Sequence, residues 1–156
     1  MKKITTIRRT VCIIANKLHK EGYSKSNAFI VAWNIVKQNA IYTKLAGVTF
    51  ANRQEALKRL LLYPREAVQI NLVREYNNVY DVNAVAIIVT VKDKGSYILG
   101  YLNRQKASLI APLLDKGITL GAYLKDITGG DGVKNYGANI QLNLVAWYSL
   151  GIYRVV

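Results

Sequence analysis

Arg74 to Val89 reads REYNNVYDVNAVAIIV, and its two halves obey different rules. Ala84 to Val89 is a short apolar run, rich in β-branched residues and bounded by turn chemistry, as a core strand should be. Arg74 to Asn78 leaves a preceding strand, and Val79 to Asn83 turns the chain. Asn77, Asn78, Asp81 and Asn83 put short amide and carboxylate side chains at the mouth of two strands. Such side chains hydrogen-bond their own backbone and tolerate left-handed conformations. They either hold the turn or point outward and read a polar ligand.

Strand signals continue on both sides. Val68, Ile70 and Leu72 alternate with Gln69 and Asn71, a half-buried strand. Lys92 to Gly95 turns a hairpin into a strand over Tyr97 to Leu102. Upstream, Ile41 to Phe50 is expected to be a strand, with Gly47 where another backbone comes close. Asn52-Arg53-Gln54-Glu55 opens a helix with a cap and an acidic third position, and Pro64 closes it. Asn103 caps a second helix that turns Ala107, Ile110, Leu113 and Leu114 inward. Pro112 removes a backbone donor from that helix and is expected to kink or split it, before Lys116-Gly117 stops it. Thr119–Thr128 and Gly137–Leu150 read as strands, and Tyr148–Val156 as a last strand or a surface-packed tail. The loop Gly129-Gly130-Asp131-Gly132 lacks the Gly-Lys-Ser/Thr ending of a phosphate-binding loop.

The first forty residues differ in character. Ile4, Ile7, Val11, Ile14 and Leu18 recur at threes and fours, a helix that Gly22 ends. Ser24 or Ser26 caps a second helix with Ala28, Phe29, Val31, Ala32, Ile35 and Val36 on a broad apolar side. Two short helices bury little alone, so the pair is expected to pack on the rest of the chain or on a partner. The chain carries a net charge of +13. Residues 1–44 hold nine basic residues against Glu21, a surplus of eight, which leaves five for the remainder. A phosphate backbone is the commonest partner for such a surplus, although an anionic membrane or an acidic protein also fits.

Composition narrows the chemistry. With 156 residues, half of them hydrophobic, the chain can bury one real core. Cys12 and His19 are the only residues of their types, too few for a structural zinc site, a disulfide or a nucleophile–histidine set of the usual kind. A lone cysteine suits a reducing, cytoplasmic compartment. The apolar runs are too short to span a bilayer. Asp81, Asp115, Asp126 and Asp131 have no spacing that favours a metal site. Eleven tyrosines against two phenylalanines suit barrel walls or base stacking.

The stretch Arg74 to Ala84 resembles the signature of the HIRAN domain family, an R-E-x-x-N-x-Y-D-x-N-A run. Gly47 to Gln54 resembles the family's opening. Gly100-Tyr101-Leu102, Ala107 and Asp115-Lys116-Gly117 resemble its middle. Ile127 to Gly130 and Gly137 to Ile140 resemble its close. The likeness covers residues 45–145. It implies a small barrel that binds single-stranded DNA, in its best-understood members by capturing a free 3′ end. Onto this chain it carries Asn77, Asn78 and Asp81 as pocket residues and Phe50 as a stacking aromatic. It adds Tyr101 and Arg104 as further contacts, and Tyr136 as a candidate second aromatic wall. Phe50 reads equally as a core residue. Thr49 stands where better-known members have Arg, with Arg53 able to compensate, and Val79 stands where Pro is usual.

The expected architecture is α+β. A small antiparallel β-barrel of the HIRAN, OB/SH3-like kind (residues 43–156) carries two short helices and follows a basic helical hairpin (residues 1–42). The expected function is non-catalytic binding of single-stranded DNA with preference for a 3′ end, in repair, replication or mobile-element biology. No cofactor, metal or membrane is implied. The alternatives are electrostatic binding of duplex DNA or RNA by the hairpin, and docking of an acidic protein partner through residues 1–42.

Overall fold

The computed structural model describes residues 2–20, 22–38, 40–115 and 120–143. Two helices, α1 (Lys2–Lys20) and α2 (Lys25–Gln38), precede strand β1 (Ala40–Ala46). Helix α3 (Arg53–Leu60) and a short 3-10 turn (Arg65–Ala67) lead into β2 (Val68–Arg74), β3 (Val85–Val91) and β4 (Gly95–Leu102). Helix α4 (Arg104–Asp115) then precedes β5 (Gly121–Thr128) and β6 (Gly137–Asn143). The expected far end of the last strand, the tail Tyr148–Val156 and the Lys116-Gly117 stop lie outside the described residues.

The six strands close into an antiparallel barrel in the order β1-β4-β3-β2-β5-β6, with β6 returning to β1. Closure removes the sheet edges that would otherwise template aggregation. Side-chain alternation fills the inside: Ile41 and Leu45 of β1, Ile87 and Val89 of β3, Leu99 of β4, and Ile140 and Leu142 of β6 are all buried. Leu57 and Leu60 of α3 and Ile110 and Leu113 of α4 belong to the same cluster. Val11, Ile14 and Leu18 of α1 and Ala28, Ala32 and Val36 of α2 join it, so the hairpin packs on the barrel. Phe29, Ile30 and Trp33 of α2 stay exposed.

Two seams are short. β1 meets β4 only at Leu45↔Leu102 and Ala46↔Tyr101, and β2 meets β5 at Ile70↔Ala122. At the first seam Gly100 permits the approach: a Cβ there would lie 2.7 Å from the Ala46 carbonyl oxygen. The register shift between Ile87 and Ile88 faces the same part of β4 and bends the sheet there.

Three local expectations need correction. β1 ends at Ala46 rather than Phe50, because Gly47 (φ 68°) and Ala51 (φ 52°) are left-handed and curl the chain into a tight turn. Asn52 does not cap α3 with its side chain; its backbone (φ −88°, ψ 17°) is not extended as a capping residue's usually is. Pro112 leaves α4 in one piece, with only Leu113 to Asp115 beyond it in the helix and little length to deflect. Elsewhere the caps are as expected: Ser24 Oγ accepts from Asn27 N–H (3.3 Å) and Asn103 Oδ1 from Lys106 N–H (2.9 Å).

Candidate nucleic-acid interface

The loop between β2 and β3 is built by its own polar side chains. Arg74, at the end of β2, is nearly buried, with 9% of its side chain exposed. Its guanidinium donates to Asp115 Oδ1 (2.9 Å), to the Ala84 carbonyl (2.8 Å) and to the Val82 carbonyl (3.2 Å). One side chain thus clamps the returning half of the loop to the end of α4. Asp115 is held below its ordinary pKa, first by the hydrogen bond from Arg74. Tyr76 donates to the same carboxylate (3.0 Å), which pushes the phenol's pKa up, and its ring lies 4.6 Å from the Arg74 guanidinium.

The next layer sits at the loop's tip. Asn78 Oδ1 accepts from the N–H groups of Tyr80 (2.9 Å) and Asp81 (3.1 Å), while its Nδ2 donates to Glu75 Oε2 (2.9 Å). Asp81 Oδ1 accepts from Asn83 N–H (2.9 Å). Glu75 Oε1 accepts from the Tyr101 hydroxyl (3.0 Å), tying the loop to β4. Burial first, and then the Glu75 carboxylate, push the Tyr101 phenol up, so it remains a donor. Arg104, the first residue of α4, donates to the Tyr80 carbonyl (2.9 Å) and fastens the loop from outside.

Opposite the loop stands the turn after β1. Arg53 donates to the Gly47 carbonyl (2.7 Å), and its guanidinium lies 5.5 Å from the Phe50 ring centre and 5.2 Å from that of Tyr101. Phe50 is 71% exposed, which removes the core reading of this ring. Between loop and turn runs a groove of about 500 Å³, lined by Phe50, Arg53, Asn78, Tyr80, Asp81, Tyr101 and Arg104. Its base is the short β1–β4 seam, where Ala46 and Leu102 also line it. An aromatic plate, two guanidinium groups and a carboxylate therefore share one concave surface. The second oxygen of Asp81 has no hydrogen-bond partner among the described residues.

The profile of the HIRAN domain matches residues 38–144. The chain belongs to the HIRAN domain family. Family membership points to a nucleic-acid-binding module. A crystal structure of a protein from Lactobacillus plantarum is similar at 21% sequence identity, covering 67% of this chain and 96% of that one, with a TM-score of 0.45. No curated protein matches the chain in sequence. Nearly all of the α1–α2 hairpin precedes the HIRAN match.

Of the nine residues singled out in the HIRAN sequence, Phe50, Arg53, Asn78, Asp81, Tyr101 and Arg104 come together in the groove. Asn78 does so with most of its carboxamide spent on the loop. Asn77 does not line the groove but an adjoining depression formed by residues 74–80, which shares Asn78 and Tyr80 with it. Thr49 is exposed on the turn and does not line the groove, whereas Arg53 does. Tyr136 is half-buried, with its ring against Gly130 and its backbone held by Gln54 (2.8 and 2.9 Å), and it stands apart from the groove. Besides Phe50 and Tyr101 the groove is lined by a third aromatic, Tyr80, 84% exposed, which was missed. Its signal was available: an aromatic flanked by turn-forming Asn78 and Asp81 sits at a loop tip, where no core exists to receive it. Glu75 was missed too, because its role depends on a pairing with Tyr101 that sequence spacing does not reveal. Among the described residues, no group of three His, Cys, Asp or Glu side chains could hold a metal ion, and no helix is long and apolar enough to cross a membrane.

Proposed function

We propose that this groove binds single-stranded DNA and captures its free 3′ end, without catalysis, as an accessory to repair, replication or mobile-element processes. One observation carries the reading: the exposed Phe50 ring, the Asp81 carboxylate and the Arg104 guanidinium line a single groove. Each answers to one part of a strand terminus. The last base stacks on the Phe50 ring, a contact worth about 1–3 kcal/mol. A carboxylate accepts a hydrogen bond from a 3′-hydroxyl. A strand that continues offers no such proton and brings a phosphate that the carboxylate repels. Arg53 and Arg104 offset the charge of the terminal phosphates, which positions the strand without reading its sequence.

Fluorescence anisotropy with matched oligonucleotides tests this. A labelled strand with a free 3′-hydroxyl should bind more tightly than the same strand blocked there. Equal binding of both, with a steep salt dependence, would instead mean general electrostatic attraction. No measurable affinity at physiological salt would favour a protein partner.

A further inference from the structure

A second groove, of about 720 Å³, adjoins the first and shares Tyr80, Asp81 and Arg104 with it. Its remaining lining includes Asn83, Gln105 and Ser108, and its far wall is Tyr23 from the turn of the helical hairpin. We propose that the hairpin turn continues the DNA track, so that nucleotides on the 5′ side of the captured end cross Tyr80 and lie in this second groove. The inference rests on the end-capture reading and adds to it a subsite whose far wall, Tyr23, lies outside the matched family region.

Three observations support it. The wall is fixed. Gln105 Nε2 donates to the Tyr23 hydroxyl (3.0 Å), and the Tyr23 carbonyl lies 2.8 Å from a ring nitrogen of His19. The chemistry suits a polynucleotide. Tyr80, exposed on the shared ridge, offers a stacking face, Arg104 offers a cation, and Asn83 and Gln105 offer neutral polar groups. Asp81 is the single acidic residue among those lining this groove. Positive charge is close by along the chain. Lys20 and Lys25 are both exposed and within three residues of Tyr23, in the segment that holds most of the chain's surplus positive charge. A strand leaving by the groove that adjoins at Arg53 would instead pass Arg59 and Lys94, where Arg59 is already paired with Glu55.

The test compares a trinucleotide bearing a 3′-hydroxyl with the same trinucleotide extended by several nucleotides on its 5′ side. Affinities are measured over a salt series for the full chain and for the exposed-surface variants Lys20→Ala with Lys25→Ala, and Lys94→Ala. Each lost single-strand phosphate contact lowers the slope of log affinity against log salt by about 0.7. The double variant should lower the slope for the extended strand by up to about 1.4, and leave the trinucleotide unchanged. Lys94→Ala should change neither. An unchanged slope for the extended strand, an equal loss for both strands, or a loss caused by Lys94→Ala would overturn the proposal. Phe50→Ala separates this failure from that of the underlying reading. If that variant weakens neither strand, the end pocket itself is wrong and both readings fall together.

Discussion

Asp81→Asn isolates the carboxylate charge from the loop it helps to build. In the native loop one Asp81 oxygen accepts from the Asn83 N–H at 2.9 Å. An asparagine keeps an oxygen for that bond, so the turn survives, and its NH2 group replaces the second oxygen. The charge is gone, and an acceptor has become a donor. A strand ending in a 3′-phosphate sets one or more negative charges against the native carboxylate. At about 4 Å a pair of unit charges repels by about 1 kcal/mol in bulk water and about 4 kcal/mol at the effective dielectric of a protein surface. Asp81 is half-buried in an open groove, so the lower part of that range applies. About 1–2 kcal/mol corresponds to a preference of about 5- to 30-fold for the hydroxyl end. Anisotropy titrations with 3′-hydroxyl and 3′-phosphate strands should therefore give that ratio for the native chain and a ratio near one for Asp81→Asn. Thermal melts of both proteins check that the loop is intact. A variant that keeps the native ratio, or loses affinity for both ends equally, refutes the assignment of the carboxylate to the terminus.

Other perturbations reach different parts of the structure. Phe50→Ala should weaken strand binding by about 1–3 kcal/mol while leaving the melting temperature nearly unchanged, since the ring is largely solvent-exposed; titration beside calorimetry separates the two effects. Gly100→Ala drives a Cβ to 2.7 Å from the Ala46 carbonyl, and should destabilise the fold by about 1–3 kcal/mol in denaturant titrations. Asp115 has a lowered pKa in the folded chain, so its stabilisation is present above its ordinary value of 3.8 and is lost as pH falls through the lowered one. The native chain should exceed Asp115→Asn in stability at neutral pH, with the gap closing under acid; a gap that persists at the acid end would show that the ion pair with Arg74 is not its source.

The barrel was expected from the family resemblance, and single strands were legible where inside–outside alternation is strict, as in β1. Ile41, Thr43 and Leu45 are buried while Tyr42, Lys44 and Ala46 are exposed, and this period of two survives any uncertainty about neighbours. Both halves of the REYNNVYDVNAVAIIV stretch behave as their composition indicates: Val85 to Ile87 are wholly buried, and the polar half forms the loop. The choice between turn-holding and ligand-reading roles was not legible. Asn78 turns out to do mainly the first, because three hydrogen bonds within the loop occupy its carboxamide. Asp81 divides its work: one oxygen holds the turn, and the residue also lines the groove. Such a division depends on distances across the loop, which no local pattern encodes. The early end of β1 was hidden for a related reason. Val48, Thr49 and Phe50 have strong strand preferences, but the left-handed backbone at Gly47 and Ala51 overrides them. That override is what lifts Phe50 out of the barrel and sets it over the groove.

Capture of a terminus is tested most directly by competition between linear and circular single strands of the same sequence and length. The circle carries the same phosphates and bases and lacks only the end. If the groove holds a 3′ terminus, the linear strand displaces a bound probe at concentrations where the circle does not. Equal displacement by the two, nucleotide for nucleotide, would contradict end capture and leave a binder of strands without regard to their ends.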